Sequence, residues 1–378
     1  MPEEAAMTAM FFLTLFVFLF PFIGYLRRPD HLTEYQVTHT VAVIAAHNEQ
    51  RVIDHIITDC EAAHFSEIVV VADRCTDETA TIAASHGARV IFVDCGSKTK
   101  AHNQAIPQVV LHQDNNAVIM FFDADNRIGP DFLERILPYF QDHDMVQCRV
   151  RNLNTNTWVA RMYLIMAGSW VRFQDALTVL HRSNILCGTG WGAHAGTLKR
   201  WPQDCHTLTD DLEFTGITRA RIYFARDVDT FDEKPATFGV SVKQRTRWVR
   251  GAWQVIFTRT RDFDPAKWYV EALPILTAWF TFRFFSSLIH AAGGAMGLLA
   301  WLLTISMSSV IDMIYYAMLL DRRDLARLTM WDLLSYTAWC LTNYPIVVYG
   351  LITWHVSTWY RTPHVGKPAS DQKGPVGK

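Results

Sequence analysis

Three short acidic stretches hold most of the residues in this sequence that can do chemistry. The run Phe121-Phe122-Asp123-Ala124-Asp125 delivers two carboxylates, alternate in sequence, at the end of an apolar segment. Like charges set so close repel each other unless a cation shares them. Mg²⁺ and Mn²⁺ are hard ions that take such oxygens and keep contact with substrate phosphates. The competing reading is that the pair closes a turn before a helix near Pro130. Val69 to Asp77 (VVVADRCTD) sets Asp73 at the end of a second apolar run. A carboxylate there can accept an N–H from a base ring, while Asp77 fits a helix cap. Leu208 to Glu213 places Asp210, Asp211 and Glu213 together. One of them can be a base beside a bound hydroxyl. Alternatively, all three sit in the first turn of a helix capped by Thr209, where acids are favoured. Glu213 fits a supporting role.

Basic and aromatic residues complete the set. Lys98 and Asn103 open a helical stretch, and Lys98 can face phosphate or base. In Gln244-Arg245-Thr246-Arg247-Trp248, helical spacing puts Gln244, Arg247 and Trp248 on one face. Arg247 can fork onto a phosphate, and Trp248 can stack on a sugar. The other reading of this stretch is a basic helix that meets anionic lipid. Cys187-Gly188-Thr189-Gly190-Trp191 allows a tight bend around a ligand. No pairing pattern supports Cys187 as a nucleophile. His194 fits a satisfied supporting histidine better than a metal ligand.

Residues 38–262 supply the elements that must position these groups. Apolar runs at Val41–Ala45, Ile68–Ala72, Val90–Val93 and Val118–Phe122 predict strands. Gln50–Ala63, Glu78–His86 and Lys98–Leu111 predict helices between them. That alternation predicts an α/β fold with a mostly parallel sheet and helices on both faces. Such folds bind ligands beyond the carboxyl ends of their strands, where His47, Asn48, Glu49, Asp73, Asp123 and Asp125 stand. The sequence contains neither a G-x-G-x-x-G after the first strand nor a P-loop. That argues against a dinucleotide enzyme and a P-loop ATPase.

The chain of 378 residues is 50% hydrophobic and only 19% charged, which excludes disorder as its main state. A net charge of −2 gives no overall basic field for nucleic acid. Seven scattered cysteines form no disulfide framework and no metal spacing. The apolar excess predicts membrane-spanning helices on both sides of the α/β unit. Met7 to Gly24 carries no charge and is followed by Arg27 and Arg28, as a retained anchor would be. A second zone runs from Ala272 to Leu320 and a third from Leu333 to Tyr360. The expected organisation is an anchor at 1–28, the α/β domain at 38–262, interfacial and transmembrane helices at 263–360 and a flexible basic tail at 361–378. Three or four spans follow, with a multi-pass cell-membrane localisation and the α/β domain facing the cytoplasm.

The ordered set ADRCTD, Lys98, DAD, CGTGW, TDD and QRTRW, framed by those zones, resembles the membrane-integrated family 2 glycosyltransferases, the group of cellulose, hyaluronan, chitin and chitooligosaccharide synthases. The resemblance covers about residues 40–255. It implies a GT-A-type nucleotide-sugar-binding domain, a nucleotide-diphospho-sugar donor (a UDP-sugar most of all), Mg²⁺ or Mn²⁺, and inversion to a β linkage. By resemblance, Asp73, Lys98, Asp123 and Arg247 contact the donor. Asp125 coordinates the metal, and Asp211 is the base. Gln244, Trp248 and Trp191 lie on the acceptor side. The implied acceptor is a growing saccharide. The alternative is one or a few sugars added to a membrane lipid, which the small apolar part of the chain favours; a nucleotidyltransferase and a transporter are the weaker competing classes.

Overall fold

In the computed structural model, residues 20–200, 205–259, 261–264, 267, 314 and 316–358 are described. The α/β unit opens with β1 (Thr40–Ala46), α1 (Ile53–Ala62), β2 (Glu67–Asp73), α2 (Thr79–Ser85), β3 (Arg89–Val93), α3 (Lys98–Val110) and β4 (Val118–Asp123). It continues through β5 (Met145–Asn152), α4 (Trp158–Val179), β6 (Trp191–His194), α5 (Asp210–Ile217), β7 (Ile222–Asp232) and α6 (Phe238–Arg259). The described C-terminal part holds α7 (Met330–Leu341) and α8 (Asn343–Ile352).

Seven strands form one sheet in the order β3-β2-β1-β4-β6-β5-β7. Strands β1 to β4 are parallel, β6 runs antiparallel to β4 and β5, and β5 pairs parallel with β7. The period-2 alternation of a strand divides β1 between two cores. Ala42, Ile44 and Ala46 pack with α1, whereas Val41 and Val43 pack with α3. In register, Ala45 stands opposite both Val71 and Asp123. Asp73 and Asp123 therefore emerge at one edge of the sheet. The expected mostly parallel α/β sheet is observed, with β6 as an antiparallel insertion.

The transmembrane part of the expected fold class is corrected. No helix among the described residues is long and apolar enough to cross a membrane. The third zone folds as α7 and α8, of 12 and 10 residues. At 1.5 Å per residue these reach about 18 and 15 Å, against a hydrocarbon core of about 30 Å. Pro345 explains the break. It has no N–H to give and fits only the first turn of a helix, so α8 must begin just before it, and Thr342 ends α7 by donating to the Trp339 carbonyl at 2.6 Å. A capping box of Thr329 and Asp332 starts α7. Arg161 of α4 bonds Asp332 at 2.9 Å, and Trp339 buries against Tyr163 and Trp158. These helices pack on the α/β unit. Arg27, expected to flank an anchor, is buried instead in an ion pair with Asp175 of α4 at 2.8 Å. The multi-pass arrangement and the cell-membrane localisation built on it are corrected with the spans. Residues 1–19 of the expected anchor, nearly all of the zone from Ala272 to Leu320 and the tail at 361–378 lie outside the described residues.

Candidate active site

The end of β4 is fixed by a small polar knot. The backbone N–H of Asp123 donates to Asn126 Oδ1 at 3.0 Å and to Thr189 Oγ1 at 3.1 Å, and the Thr189 hydroxyl itself donates to Asn126. Asn126 is fully buried. This knot turns the Asp123 carboxylate, 36% exposed, toward Lys98 at the start of α3. Lys98 Nζ donates to Asp123 Oδ1 at 2.5 Å and to the Gly188 carbonyl at 2.6 Å. Gly188 has φ +77°, a left-handed backbone that a side chain resists. A Cβ there would stand 3.3 Å from Asp211 Oδ2. The glycine-rich bend thus brings a carbonyl to Lys98 and leaves room for Asp211.

Asp210 and Asp211 begin α5, and the loop before it is braced on both sides. From α3, Thr99 donates to the Thr207 carbonyl and Asn103 to that of Cys205. From α5 itself, Glu213 accepts the backbone N–H groups of His206 at 3.0 Å and Thr207 at 2.8 Å, and it is held by Arg259 at 2.7 Å. Gln254 of α6 accepts from Leu208 N. Gly251 lets α6 approach, since a Cβ there would meet Thr209 at 2.5 Å. Leu212 N donates to Asp211 Oδ1 at 2.8 Å.

The charges of these elements converge. Burial acts to lower the Lys98 ammonium, but Asp123, Asp210 and Asp211 raise it above its ordinary value. Burial pulls the Arg247 guanidinium down, and Asp123, Asp211 and Asp210 oppose that. Burial and the neighbouring Asp210 charge push the Asp211 carboxyl up to about 7, despite Lys98 and Arg247. Burial works to raise Asp210 too, but His102 and Lys98 hold it below the usual carboxylate range. One carboxyl poised near neutrality beside two cations and two further carboxylates can take a proton from a hydroxyl while the cations hold an anionic leaving group.

The remaining expected residues fall around this centre. Asp73 is buried; its Oδ1 accepts from Cys95 N at 2.8 Å and Gly96 N at 3.0 Å, so it fastens the exit of β3. An open cleft of ≈ 380 Å³ lies beside that exit, lined by Asp94, Cys95, Lys100, Asn103 and Gln104. Asp125 lies in the turn after β4, with Asn126 Nδ2 at 3.5 Å. Gln244 and Trp248 face α4. Gln244 Oε1 accepts from the Tyr163 hydroxyl at 2.9 Å, and Trp248 meets that ring edge-on at 6.1 Å. Trp191 is 2% exposed and stacks on Phe121 at 4.1 Å, a core position rather than an open acceptor wall. Cys187 accepts from Trp170 Nε1, and burial drives its thiol up to about 12, which leaves little thiolate at neutral pH. His194 bonds the Phe140 carbonyl in the supporting manner expected. Asp77 bonds the N–H and hydroxyl of Thr79 at the start of α2, as a capping residue does. His102, four residues after Lys98 on α3, was given no part by the sequence reading; the i, i+4 spacing was the available signal.

Among the described residues, no three His, Cys, Asp or Glu side chains gather as a self-sufficient metal site. Asp123 and Asp125 offer hard oxygens at one strand end. Such a donor set fits Mg²⁺ or Mn²⁺ only if substrate phosphates complete the shell.

Residues 38–251 match the family described as glycosyltransferase like family 2. The beta-monoglucosyldiacylglycerol synthase of Nostoc sp. is 26% identical over 243 residues, covering 56% of this chain and 48% of that protein. That of Synechocystis sp. is 25% identical over 229 residues, covering 56% and 47%. The chain spans about half the length of the curated relatives it matches. A mannosyltransferase from Pyrobaculum calidifontis, solved with GDP-Man and Mn²⁺, shares the fold at a TM-score of 0.65 and 16% identity, covering 93% of this chain and 97% of that one. The finer resemblance to membrane-integrated polysaccharide synthases is thereby corrected toward lipid-sugar synthases, alongside the lack of a spanning helix among the described residues. With more than half of its length matched, the chain belongs to the glycosyltransferase like family 2.

Proposed function

We propose that this glycosyltransferase moves one sugar from a nucleoside-diphosphate sugar to a hydroxyl of a lipid of the diacylglycerol class, with inversion at the anomeric carbon. The relatives named for making a monoglucosyl lipid favour single transfer over chain growth. The observation that carries the chemistry is the Asp211 carboxyl, set at the start of α5 opposite the Gly188 bend, with Lys98 and Arg247 among the charges around it. Asp211 receives the proton of the acceptor hydroxyl as the oxygen attacks C1. A single displacement needs this one base and a leaving group whose charge is held. Lys98 and Arg247 bind and orient the diphosphate, already desolvated and aimed at the carboxylate cluster. Asp123 and Asp125 would hold Mg²⁺ or Mn²⁺, which supplies a Lewis acid for the diphosphate when bound. Asp73 shapes the nucleotide end through the β3 exit. Gln244 and Trp248 order α6 against Tyr163 and close the acceptor side, which Trp191 supports from the core.

The test incubates the purified full chain and Mn²⁺ with a panel of UDP- and GDP-sugars and diacylglycerol in mixed micelles. Nucleoside diphosphate release and mass spectrometry of the lipid are followed. One added hexose on the lipid is the expected product. A ladder of masses spaced by one sugar contradicts single transfer, and pyrophosphate release contradicts glycosyl transfer from a diphospho-sugar.

A further inference from the structure

His102 stands where an apolar residue would serve the packing. It is 2% exposed, and its ring meets Phe121 edge-on at 5.4 Å. Burying an imidazole costs free energy unless its nitrogens are engaged. Neither ring nitrogen completes a hydrogen bond of normal geometry. The polar group that does face it is a carboxylate: Nδ1 lies 3.5 Å from Asp210 Oδ2. Helical spacing puts His102 one turn beyond Lys98 on α3, so the two basic side chains meet α5 from the same face. The charged groups around this contact are Lys98 from α3, Asp210 and Asp211 from α5, Asp123 from β4 and Arg247 from α6.

Two adjacent carboxyls in one desolvated site do not ionise independently. Once one is charged, the other holds its proton more tightly. Which ionises first depends on which has the better partners. Asp210 has His102; Asp211 has its own helix N–H, from Leu212.

We propose that His102 is a positioning residue that assigns the roles in this pair: by engaging Asp210 it makes Asp210 the permanently charged member and leaves Asp211 the proton-accepting one. The inference rests on the reading of Asp211 as the base. No bond is made or broken at His102. Its Nδ1 faces Asp210 Oδ2 at 3.5 Å, and the Asp210 charge makes Asp211 more basic.

The test is ligand-independent. Difference infrared spectra of the full chain between pH 5 and 9 follow the C=O band of a protonated carboxyl, assigned to Asp211 by its loss in D211N. The wild-type band is expected to be lost as pH rises through about 7. In H102L, Asp210 loses its partner and shares the last proton of the pair, so above pH 5 the Asp211 band drops to about half its amplitude and a second protonated-carboxyl band, lost in D210N, appears beside it. H102N keeps an N–H donor near the position of Nδ1 and returns the Asp211 band toward its full amplitude. H102N stays informative should H102L fold poorly, because a retained donor leaves the Asp211 band at full amplitude on this account. An unchanged Asp211 band with no Asp210 band in folded H102L overturns the proposal, as does an H102N spectrum like that of H102L. Transfer assays with UDP-glucose and diacylglycerol separate the two readings. Inactive D211N with an unchanged H102L spectrum removes His102 and leaves the base in place, whereas active D211N removes the base and the His102 role with it.

Discussion

Asp211 owes its behaviour to desolvation and to one neighbour. An aspartate in an unfolded chain titrates near 3.9, while the folded Asp211 is pushed up to about 7. A carboxyl raised on folding favours the native state only while protonated. Its contribution is therefore present below about 4 and is lost as pH rises toward 7. D211N removes that loss, so the Tm of D211N relative to wild type should climb between pH 4 and 7 and level off above. Scanning calorimetry across that range checks it; a pH-independent difference contradicts the buried, raised carboxyl. The same group sets the rate. The base form exists above its pKa, so kcat/KM for the free enzyme should rise with pH through about 7 and then flatten. A flat profile from pH 5 to 8 would mean that another group takes the proton. Lys98 belongs to this scale as well. K98M leaves the buried Asp210 and Asp211 charges less compensated and should lower both donor affinity and transfer.

The elements decide where those residues stand. Gly188 keeps its left-handed turn so that a carbonyl reaches Lys98 while Asp211 stays clear. G188A strains that turn by about 1 kcal/mol and crowds Asp211, so transfer should fall about tenfold or more with UDP affinity changed little; titration calorimetry beside the transfer assay checks the split. The apolar strands ending in Asp73 and Asp123 were legible in the sequence because each run stops at a carboxylate and a turn. Strands β5, β6 and β7 were not, and β6 shows why: WGAH has no length for a pattern and is a strand only because β4 and β5 flank it. The resemblance places Trp191 on the acceptor side. Its glycine-rich surroundings suggested a loop, whereas tertiary pairing makes it part of the core. His102 escaped notice because a histidine within a helix announces nothing until the partner element, α5, is placed beside it. Gln244, Arg247 and Trp248 were legible as one helical face, yet that face divides. Arg247 serves the carboxylates, while Gln244 and Trp248 serve Tyr163.

Across the whole molecule, the segments on either side of the α/β unit are fastened to it by buried charge rather than by apolar contact alone. Arg27 reaches Asp175 and the Phe224 carbonyl, and Arg161 reaches Asp332. Removing one partner of a buried pair leaves an uncompensated charge and costs about 3–5 kcal/mol. D175A should therefore lose stability toward that scale in urea unfolding; a loss below about 1 kcal/mol would show that Asp30 alone holds the buried Arg27 charge. Hydropathy alone misread the stretch from Leu333 to Tyr360, since a run without formal charge looks like a span until Thr342 and Pro345 are given their weight as a helix end and a helix start. The account as a whole turns on Asp211 as the base of a single sugar transfer. The most direct measurement compares wild type and D211N for UDP affinity by calorimetry and for transfer from the donor that the sugar panel identifies. The account predicts a Kd within about twofold and transfer lower by about 10²–10⁴-fold, the range of a lost general base. Transfer within tenfold of wild type by correctly folded D211N would contradict it.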